Sequence, residues 1–428
     1  MTRKLIDDCF VNDAGRMRHT DAVALMRSRV APVAEIVRVP LAEACGRTLA
    51  KSVIAGIAVP AHTNAAVDGY SFAAIDAPEA AKDGLPVAAR AAAGHALIDV
   101  PPAHSAVRIF TGAVLPAGHD TVAMQEDCDR VDIDGRGLVR IPAGLKRSAN
   151  VRPVGEDVGV GQTLLERGVV LRPQDIAALA SVGCAEVDIY ARLRVAILSS
   201  GDEVVQPGQP LAPGQVYDAN APMLRGLIGN SGAEVSVIGV VGDTAAAMQS
   251  ALAAAARDFD VVVTSGGASQ GEEDHLGSSV AALGKRHLWQ IAIKPGRPML
   301  FGQIGDCVVV GLPGNPVAVF VCFLMYVWPL LRRLGGAPWQ EPRRWRVPAK
   351  FSVPKRKAGR REFWRGMIVD TADGLAVQKF AADGSGLISG LRAADGLIEI
   401  GEEVTAVGVG DLVDFIPSTE FGIAARTY

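Results

Sequence analysis

The sequence has few cysteines, few aromatic residues and no excess of charge of either sign. Its 428 residues include six cysteines, 43 basic residues and 46 acidic residues, for a net charge of −3. No Cys-x-x-Cys pair or histidine–cysteine cluster is present, so a zinc finger or dithiol redox site has no support. The balanced charge excludes a basic nucleic-acid-binding footprint and an acidic tail as features of the whole chain. Scattered thiols fit a reducing cytosol, and we expect a cytoplasmic protein that binds no nucleic acid.

The sequence also lacks an apolar run long enough to cross a membrane. The N-terminus reaches Asp7 and Asp8 before an apolar run develops, which argues against a secretory signal. The most membrane-like stretch, residues 307–331, is broken at 311–316, and the 15 residues that follow fall short of the roughly 20 that a span needs. We interpret it as a buried strand, a loop and a buried helix, and we expect no membrane partner.

Length and patterning predict a multi-domain α/β protein with four regions. Helical character in the first 50 residues gives way to short strands and returns near residue 152, which indicates a discontinuous first domain with a strand-rich insertion. After about residue 336, short strands with glycine and aspartate turns indicate a small β-barrel or sandwich. We assign 1–54 and 153–189 to the first domain, 55–152 to the inserted domain, 190–335 to an α/β domain, and 336–428 to a C-terminal β-barrel.

Four continuous apolar runs in the α/β region have the length and composition of buried strands. They cover residues 195–198, 235–241, 261–263 and 308–310, and helical segments lie between them at 222–229 and 244–256. Strand–helix alternation with valine-rich runs is typical of a parallel sheet covered by helices on both faces. A fifth short run, 291–293, predicts a further strand or an edge.

Polar loops follow all four predicted strands. They span residues 199–203, 242–244, 264–274 and 311–316; each contains glycine, and three contain carboxylates. In open parallel sheets, ligands bind beyond the carboxyl ends of the strands. Four such loops at one edge of the sheet predict a single ligand site.

The residue types of these loops indicate a phosphate-containing ligand. Glycine lets backbone N–H groups approach an anion, and Asn315, as the cap of a helix that begins at Pro316, would present a helix N-terminus to a phosphate. Four carboxylates would repel that phosphate unless a hard cation such as Mg²⁺ lay between them. They belong to Asp202, Glu203, Asp243 and Asp274. Lys294 adds a positive charge on a Lys-Pro-Gly turn, so the set predicts a metal-bridged phosphate ligand.

Simpler interpretations of the same residues remain open. Asp202 and Asp243 could cap the helices that follow them, and Gly266-Gly267 could form an ordinary tight turn. The sequence has no Gly-x4-Gly-Lys pattern, so a P-loop hydrolase is not indicated. The Gly-x-Gly pair near residue 160 lacks the third glycine and the preceding strand of a dinucleotide-binding site.

Eight segments, taken together, resemble the MoeA family of molybdopterin molybdenumtransferases, to which the E domain of gephyrin is related. They include Asn-Ala-Ala-Val-Asp-Gly-Tyr at 64–70, Arg-Ile-Phe-Thr-Gly-Ala at 108–113 and Lys-Pro-Gly-Arg-Pro at 294–298. The others lie at 152–157, 200–203, 264–274, 311–316 and 361–366. Each segment is weak alone, but all eight keep the family's order and together cover most of the chain.

The resemblance implies insertion of molybdate into adenylylated molybdopterin, with Mg²⁺ as cofactor, release of AMP and formation of molybdenum cofactor. It implies a homodimer of elongated four-domain subunits whose α/β domain is similar to MogA. The active cleft would lie between the α/β domain of one subunit and the inserted domain of the other. A molybdopterin adenylyltransferase is a further expected partner.

Carried over position by position, the resemblance assigns roles to individual residues. The expected catalytic residues are Asp68, Thr111, Glu203, Asp274, Lys294 and Arg297. The residues expected to bind the cofactor substrate are Asp157, Ser265, Gly266, Gly267, Ser269, Pro313, Gly314, Asn315, Arg365 and Ser385. The residues expected to hold Mg²⁺ are Glu203, Asp243 and Asp274.

One position departs from the family pattern. In the family a basic residue precedes the lysine of the Lys-Pro-Gly turn by four positions, and here that position is Gln290. The loss of one positive charge should weaken anion attraction unless another group such as Arg297 compensates. Three functions therefore stay in competition: the transferase, a nucleotide-processing enzyme built on the α/β domain, and a cofactor carrier or scaffold of low activity.

Overall fold

The computed structural model describes residues 17–133, 136–267, 275–296 and 298–426. Up to residue 190 the chain forms short strands and a few short helices. In chain order these are α1 (His19–Arg29), β1 (Ile36–Pro40), β2 (Val53–Ile54), β3 (Asn64–Ala65), β4 (Gly69–Phe72), α2 (Ala77–Lys82), β5 (Leu85–Ala91), β6 (Ala106–Ile109), β7 (Thr121–Met124), β8 (Asp129–Ile133), β9 (Arg136–Arg140), β10 (Val151–Arg152), β11 (Thr163–Leu165), α3 (Pro173–Ser181) and β12 (Glu186–Tyr190). Short 3₁₀ turns lie at Leu41–Glu43, Ala74–Asp76 and Gln125–Asp127.

Three antiparallel strand pairs carry the chain out to the inserted region and back. β1 pairs with β12, β2 with β11, and β3 with β10, so each outgoing strand meets a returning one. Leu49, Leu171, Leu179 and Ile189 lie in one hydrophobic cluster, which joins segments far apart in sequence. The predicted fold class, which includes a discontinuous N-terminal domain, is confirmed, whereas the exact domain boundaries stay predictions.

The inserted region forms a six-stranded sheet in the order β7-β4-β6-β5-β9-β8. Strand β4, the neighbour of the edge strand β7, begins at Gly69, which pairs with Ile109 on one side and Met124 on the other. A Cβ atom at Gly69 would overlap the carbonyl oxygen of Ala123. Only glycine therefore allows β7 to approach β4 this closely.

Helices and strands alternate regularly from residue 194. The elements are β13 (Arg194–Ser200), β14 (Val204–Val205), β15 (Val216–Tyr217), α4 (Asn220–Asn230), β16 (Glu234–Val241), α5 (Ala245–Asp258), β17 (Val261–Ser265), α6 (Leu276–Leu283), β18 (Lys285–Gln290), β19 (Ile293–Lys294), β20 (Pro298–Ile304), β21 (Cys307–Leu312), α7 (Pro316–Cys322), a π-helical turn (Phe323–Val327) and α8 (Trp328–Leu334).

The α/β region contains a six-stranded sheet in the order β16-β13-β17-β21-β20-β18. The first four strands are parallel, as the sequence predicts; β20 then pairs antiparallel with β21, and β18 pairs antiparallel with β20. Successive residues of β13 face opposite sides: Val195 packs in a cluster with Leu224 of α4, while Ala196 packs in a cluster with Leu252 of α5. Helices thus cover both faces, which is why these strands read as continuous apolar runs.

The fifth apolar run belongs to a different sheet from its neighbours. Ile291 forms an isolated bridge with Met17, and β19 pairs with β23 (Arg361–Thr371) in the C-terminal region. The helix that follows β21 runs from Pro316 to Leu334, with mean hydropathy 1.7 and 83% of its most apolar window buried in the protein. The helix is longer than the expected apolar run of 15 residues, and its length and composition alone would allow a membrane span, but its burial makes it a core helix of this fold.

The C-terminal strands close on themselves as a small barrel. They are β22 (Trp345–Pro348), β23 (Arg361–Thr371), β24 (Gly374–Lys379), β25 (Gly396–Ile400) and β26 (Leu412–Pro417), with α9 at Ile388–Ala393 and a 3₁₀ turn at Ser418–Phe421. The order is β24-β23-β25-β26-β22, and a bridge between Ala349 and Val377 of β24 closes the ring. The predicted barrel is confirmed.

The start of α1 has no side-chain cap. The helix begins at His19, and Arg18 occupies the cap position without a side-chain hydrogen bond. The His19 ring is buried and lies 2.7 Å (Nδ1) from the Tyr326 hydroxyl. Tertiary packing therefore determines this helix start more strongly than local capping chemistry.

Candidate functional site

The carboxyl ends of the parallel strands meet at one edge of the α/β sheet. The connections from β13 and β17 leave in opposite directions, to β16 and to β18, which makes the crevice between them a topological switch point. A cavity of about 670 Å³ opens there. Among its lining residues are Ser200, Glu203, Asp243, Ser265, Gly266, Gly267, Gly314 and Asn315. The structure thus brings together residues from all four predicted loops.

Asp243 joins the first two loops. Its carboxylate accepts hydrogen bonds from the Ser200 hydroxyl (3.1 Å) and from the Asp202 N–H (3.1 Å), and Asp202 Oδ1 accepts from the Asp243 N–H (3.1 Å). The alternative that Asp243 caps α5 is wrong, because Thr244 occupies the cap and accepts from the Ala247 N–H (3.2 Å). Asp243 instead places a half-buried carboxylate against the wall of the cavity.

The glycine pair after β17 offers fewer free backbone N–H groups to a ligand than the sequence predicts. Gly266 has φ +88°, and a Cβ there would lie 2.6 Å from the Ser200 carbonyl oxygen, so glycine is needed for the close approach. Its N–H already donates to the Leu312 carbonyl (3.1 Å) and is not available to a ligand. Ser269 and Asp274, which we expected to act in this loop, lie outside the described residues.

Asn220 is a site residue that the sequence analysis missed. Its Nδ2 donates to Ser265 Oγ (2.7 Å) and to the Gly314 carbonyl (2.7 Å), and the side chain is only 9% exposed. Asp218 anchors the same turn by accepting from the N–H groups of Asn220 and Ala221. Asn220 therefore ties together the loops after β17 and β21. No local signal in the sequence indicates this, because the partners are 45 and 94 residues away.

A second cavity, of about 390 Å³, adjoins the first and shares Gly267, Gly314 and Asn315 with it. Three of the described residues that line it are cationic: Lys294 from β19, Arg365 from β23 and Lys379 from β24. Lys379 was not expected; its Nζ lies 5.5 Å from the Trp364 ring centroid and pairs with Asp383. Arg297, expected beside Lys294, lies outside the described residues.

The loop at 382–387 holds Arg365 in place. The guanidinium donates to the carbonyls of Ala382 and Leu387, and it lies 5.0 Å from the Phe380 ring centroid. Burial lowers the pKa of Arg365, an effect that the nearby Asp383 carboxylate opposes. The side chain thus enters the cavity wall as a fixed, partly desolvated cation.

The loop after β21 connects the two cavities to the C-terminal region. Pro313, Gly314 and Asn315 line the smaller cavity, and Asn315 occupies the cap of α7 with Pro316 at its first position, as predicted. The carbonyl of Ser385 accepts from the Val317 N–H (3.0 Å). One N–H group of the helix N-terminus is therefore satisfied by the protein rather than left for a ligand.

Asp68 and Thr111 lie together in the inserted region, away from both cavities. Asp68 Oδ1 accepts from the Thr111 N–H (2.8 Å) and hydroxyl (2.7 Å), and these hydrogen bonds lower the pKa of Asp68. Neither residue is among the described residues that line the two cavities, and neither is Asp157. Within one chain the two predicted groups of site residues stay apart.

The carboxylates at the larger cavity fit a magnesium ion in their chemistry. Glu203 and Asp243 both line it, and carboxylate oxygens are the protein ligands that Mg²⁺ prefers. They do not by themselves form a three-ligand cluster. In the described part of the chain, such a cluster, with ligand atoms within 4.8 Å of one another, lies at Asp76, Glu79 and His104. The predicted third ligand, Asp274, lies outside the described residues.

Comparison with known proteins identifies the family. The MoeA N-terminal region (domains I and II) matches residues 17–183, a "Probable molybdopterin binding domain" matches 196–333, and the MoeA C-terminal region (domain IV) matches 346–418. A molybdopterin molybdenumtransferase from Haemophilus influenzae is 37% identical over 379 residues, covering 88% of this chain and 92% of its own. The chain belongs to the MoeA family.

Further relatives agree with this assignment. Molybdopterin molybdenumtransferase 2 from Mycobacterium tuberculosis is 33% identical over 404 residues, covering 92% of this chain and 96% of its own. The crystal structure of a molybdopterin biosynthesis MoeA protein from Pyrococcus horikoshii superposes with a TM-score of 0.78 at 31% identity, covering 94% of this chain and 99% of the other. The predicted family, the multi-domain α/β fold and the class of enzyme, a transferase of molybdenum cofactor biosynthesis, are confirmed.

Proposed function

We propose that this MoeA family member inserts molybdate into adenylylated molybdopterin, releasing AMP, in a reaction that requires Mg²⁺. The observation that carries the proposal is the pair of adjoining cavities of opposite character. The larger is lined by the carboxylates of Glu203 and Asp243, and the smaller by cationic side chains. A substrate with phosphates at one end and an oxyanion acceptor at the other would fill both.

The larger cavity would hold the phosphates and the nucleotide end of the substrate. Glu203 and Asp243, with Asp274, would hold the Mg²⁺, which when bound supplies positive charge against the pyrophosphate. The loops after β17 and β21, kept at a fixed distance by Asn220, would set the orientation of the phosphates. Without a cation, the carboxylates would repel the ligand instead.

The smaller cavity would hold molybdate. Molybdate is a dianion, and Lys294, Arg365 and Lys379 offer it charge and N–H donors, while Asp383 is the one carboxylate among the described lining residues. Because molybdenum binds the dithiolene sulfurs of the pterin, the cofactor supplies the difficult chemistry and the protein supplies orientation and charge.

We propose that a second copy of the chain completes the cleft. Asp68 and Thr111 form a preorganised acid–hydroxyl pair that faces neither cavity of its own chain. In a homodimer the inserted domain of one subunit would bring this pair to the α/β domain of the other. A molybdopterin adenylyltransferase is the partner that we expect to deliver the substrate.

The test is a reaction with purified protein, adenylylated molybdopterin, molybdate and Mg²⁺, in which AMP release and cofactor formation are followed together. We expect AMP release to depend on molybdate and to fall about tenfold or more in Lys294→Ala. Lys350→Ala, an exposed lysine on the barrel, is the matched control. AMP release that ignores molybdate, or its absence under all conditions, would contradict the proposal.

A carrier of low activity is the second candidate, and Gln290 is the observation that favours it. Gln290 stands on β18 opposite Pro298 and is not among the described residues that line either cavity. If Gln290→Lys raises turnover strongly while wild type only binds substrate tightly, the carrier function would replace the transferase. If the variant changes turnover little, Gln290 is a neutral departure.

A further inference from the structure

A buried carboxylate lies behind the wall of the cation-lined cavity and faces one of its lysines. Glu362 stands on β23 and is 3% exposed. Its Oε2 lies 4.0 Å from Lys294 Nζ, whereas the Lys294 side chain is 43% exposed. Within the described part of the chain, no other carboxylate lies within 4.0 Å of this ammonium group.

Backbone pairing holds the same two residues side by side. β19 runs parallel to β23, with Ile293 opposite Arg361 and Lys294 opposite Glu362. Side chains at paired positions of neighbouring strands project to the same face of a sheet. Lys294 follows the α/β region in sequence, yet main-chain pairing and its ion pair with Glu362 both attach it to the C-terminal region.

Each oxygen of Glu362 has a separate set of partners. Oε1 faces two arginines, Arg360 (Nε at 3.0 Å) and Arg356 (Nε at 3.4 Å). Oε2 accepts from the Trp364 indole N–H at 2.9 Å and faces Lys294. The indole hydrogen bond fixes the carboxylate, so the position of the negative charge presented to Lys294 does not depend on the lysine itself.

The arginines face Oε1 of this carboxylate and leave Oε2 to Trp364 and Lys294. The terminal nitrogens of Arg356 donate to the carbonyls of Gly401, Val404 and Arg360. Arg360 is one-third exposed and accessible to water. Lys294, by contrast, has Glu362 as its anionic neighbour and lines the cavity at the same time.

We infer that Glu362 is a positioning residue that holds the Lys294 ammonium group at the wall of the smaller cavity. Because β23 also carries Arg365, the strand sets the spacing between Lys294 and Arg365, two of the cations among the described residues that line the cavity. The inference rests on the proposed function for its effect on turnover. The geometric claim itself, that Glu362 restrains Lys294, is measurable without any substrate.

The first measurement is the reactivity of Lys294 toward an amine-directed acylating reagent, followed residue by residue by mass spectrometry. Glu362→Gln keeps an acceptor for the indole N–H and removes the charge, so we expect Lys294 to be released and modified about three- to fivefold faster. Glu399→Gln is the matched control, because Glu399 is equally buried and pairs with Arg344 and Arg361 rather than with Lys294. Equal rates in wild type, Glu362→Gln and Glu399→Gln would overturn the inference.

The second measurement separates positioning from folding in the assay of molybdate-dependent AMP release. We expect Glu362→Gln to raise the KM for molybdate about fivefold, with a smaller change in kcat and with Glu362→Asp partly restoring it. In a Lys294→Ala background the same substitution should add little, since the group it positions is gone. A loss of equal size in both backgrounds, with a matching fall in thermal stability, would show that Glu362 acts only on the fold.

The two measurements also distinguish this inference from the proposed function. If wild type releases no AMP in response to molybdate while Lys294 reactivity still rises in Glu362→Gln, the proposed function fails and the positioning role stands. If AMP release is as proposed and Lys294 reactivity does not change, the positioning role fails alone.

Discussion

Replacing Asn220 by alanine should release the two loops that line both cavities. The substitution removes two hydrogen bonds of 2.7 Å, to Ser265 Oγ and to the Gly314 carbonyl, at a side chain that is 9% exposed. Each bond contributes roughly 1 kcal/mol net, and a buried polar group that loses its partner, here the Ser265 hydroxyl, costs roughly 1–3 kcal/mol. We therefore expect the free energy of unfolding of the α/β region to fall by about 2–4 kcal/mol.

The loss should also be local and therefore visible by hydrogen exchange. Amides at 261–267 and 311–316 should exchange faster in Asn220→Ala, because the bridge between these segments is broken. Binding of the phosphate-containing substrate should weaken as well, because both segments line the cavities. Urea unfolding followed by tryptophan fluorescence, together with exchange mass spectrometry, gives both quantities.

Asn230→Ala is the matched control for this prediction. Asn230 lies on the same helix, and its Nδ2 makes one exposed hydrogen bond of 3.1 Å to the Gly422 carbonyl. Its removal should cost less than about 1 kcal/mol. If Asn220→Ala and Asn230→Ala destabilise the protein equally, and exchange at 311–316 does not change, the bridge is not what holds the loops.

Three other substitutions test separate parts of the structure. Asp243→Asn should raise the Mg²⁺ concentration needed for half-maximal activity, which a magnesium titration measures; an unchanged requirement would remove this residue from the metal site. Thr111→Val removes one of the two hydrogen bonds that depress the pKa of Asp68, so this pKa should rise in a ¹³C carboxyl titration. A carboxyl group with a lowered pKa stabilises the folded protein above its unfolded pKa of about 3.9, and this stabilisation is lost as pH falls through the folded pKa. Identical titrations of Asp68 in the wild type and the variant would refute the assignment. Gly69→Ala should disrupt the inserted sheet, because the new methyl group overlaps the Ala123 carbonyl, and limited proteolysis should cleave the inserted region first; a protease-resistant variant would contradict this.

Much of the α/β region was predictable from the sequence because its signals are local. The runs that form β13, β16, β17 and β21 are apolar throughout, since both faces of a parallel sheet are covered, and turn residues interrupt them at the strand ends. Parallel strands place their carboxyl ends at one edge, so the convergence of Asp243, Ser265 and Asn315 followed from pattern alone. The family resemblance followed in the same way from short motifs in a fixed order.

Other features depend on contacts between residues far apart in sequence, and only the tertiary structure decided them. The 291–293 run looks like a strand of the α/β sheet, yet β19 pairs with Arg361 and Glu362 at the start of β23, because β24 pairs only with the later residues of that strand. Gly266 looks like a free anion-binding amide, yet its N–H is bonded to Leu312. Asn220 and Lys379 carry no local signal, since a single polar residue shows its role only through the groups it meets. Sequence by itself determined which segments are apolar, where they turn and which family they belong to, whereas folding decided which charges and hydrogen-bonding groups came to share one cavity.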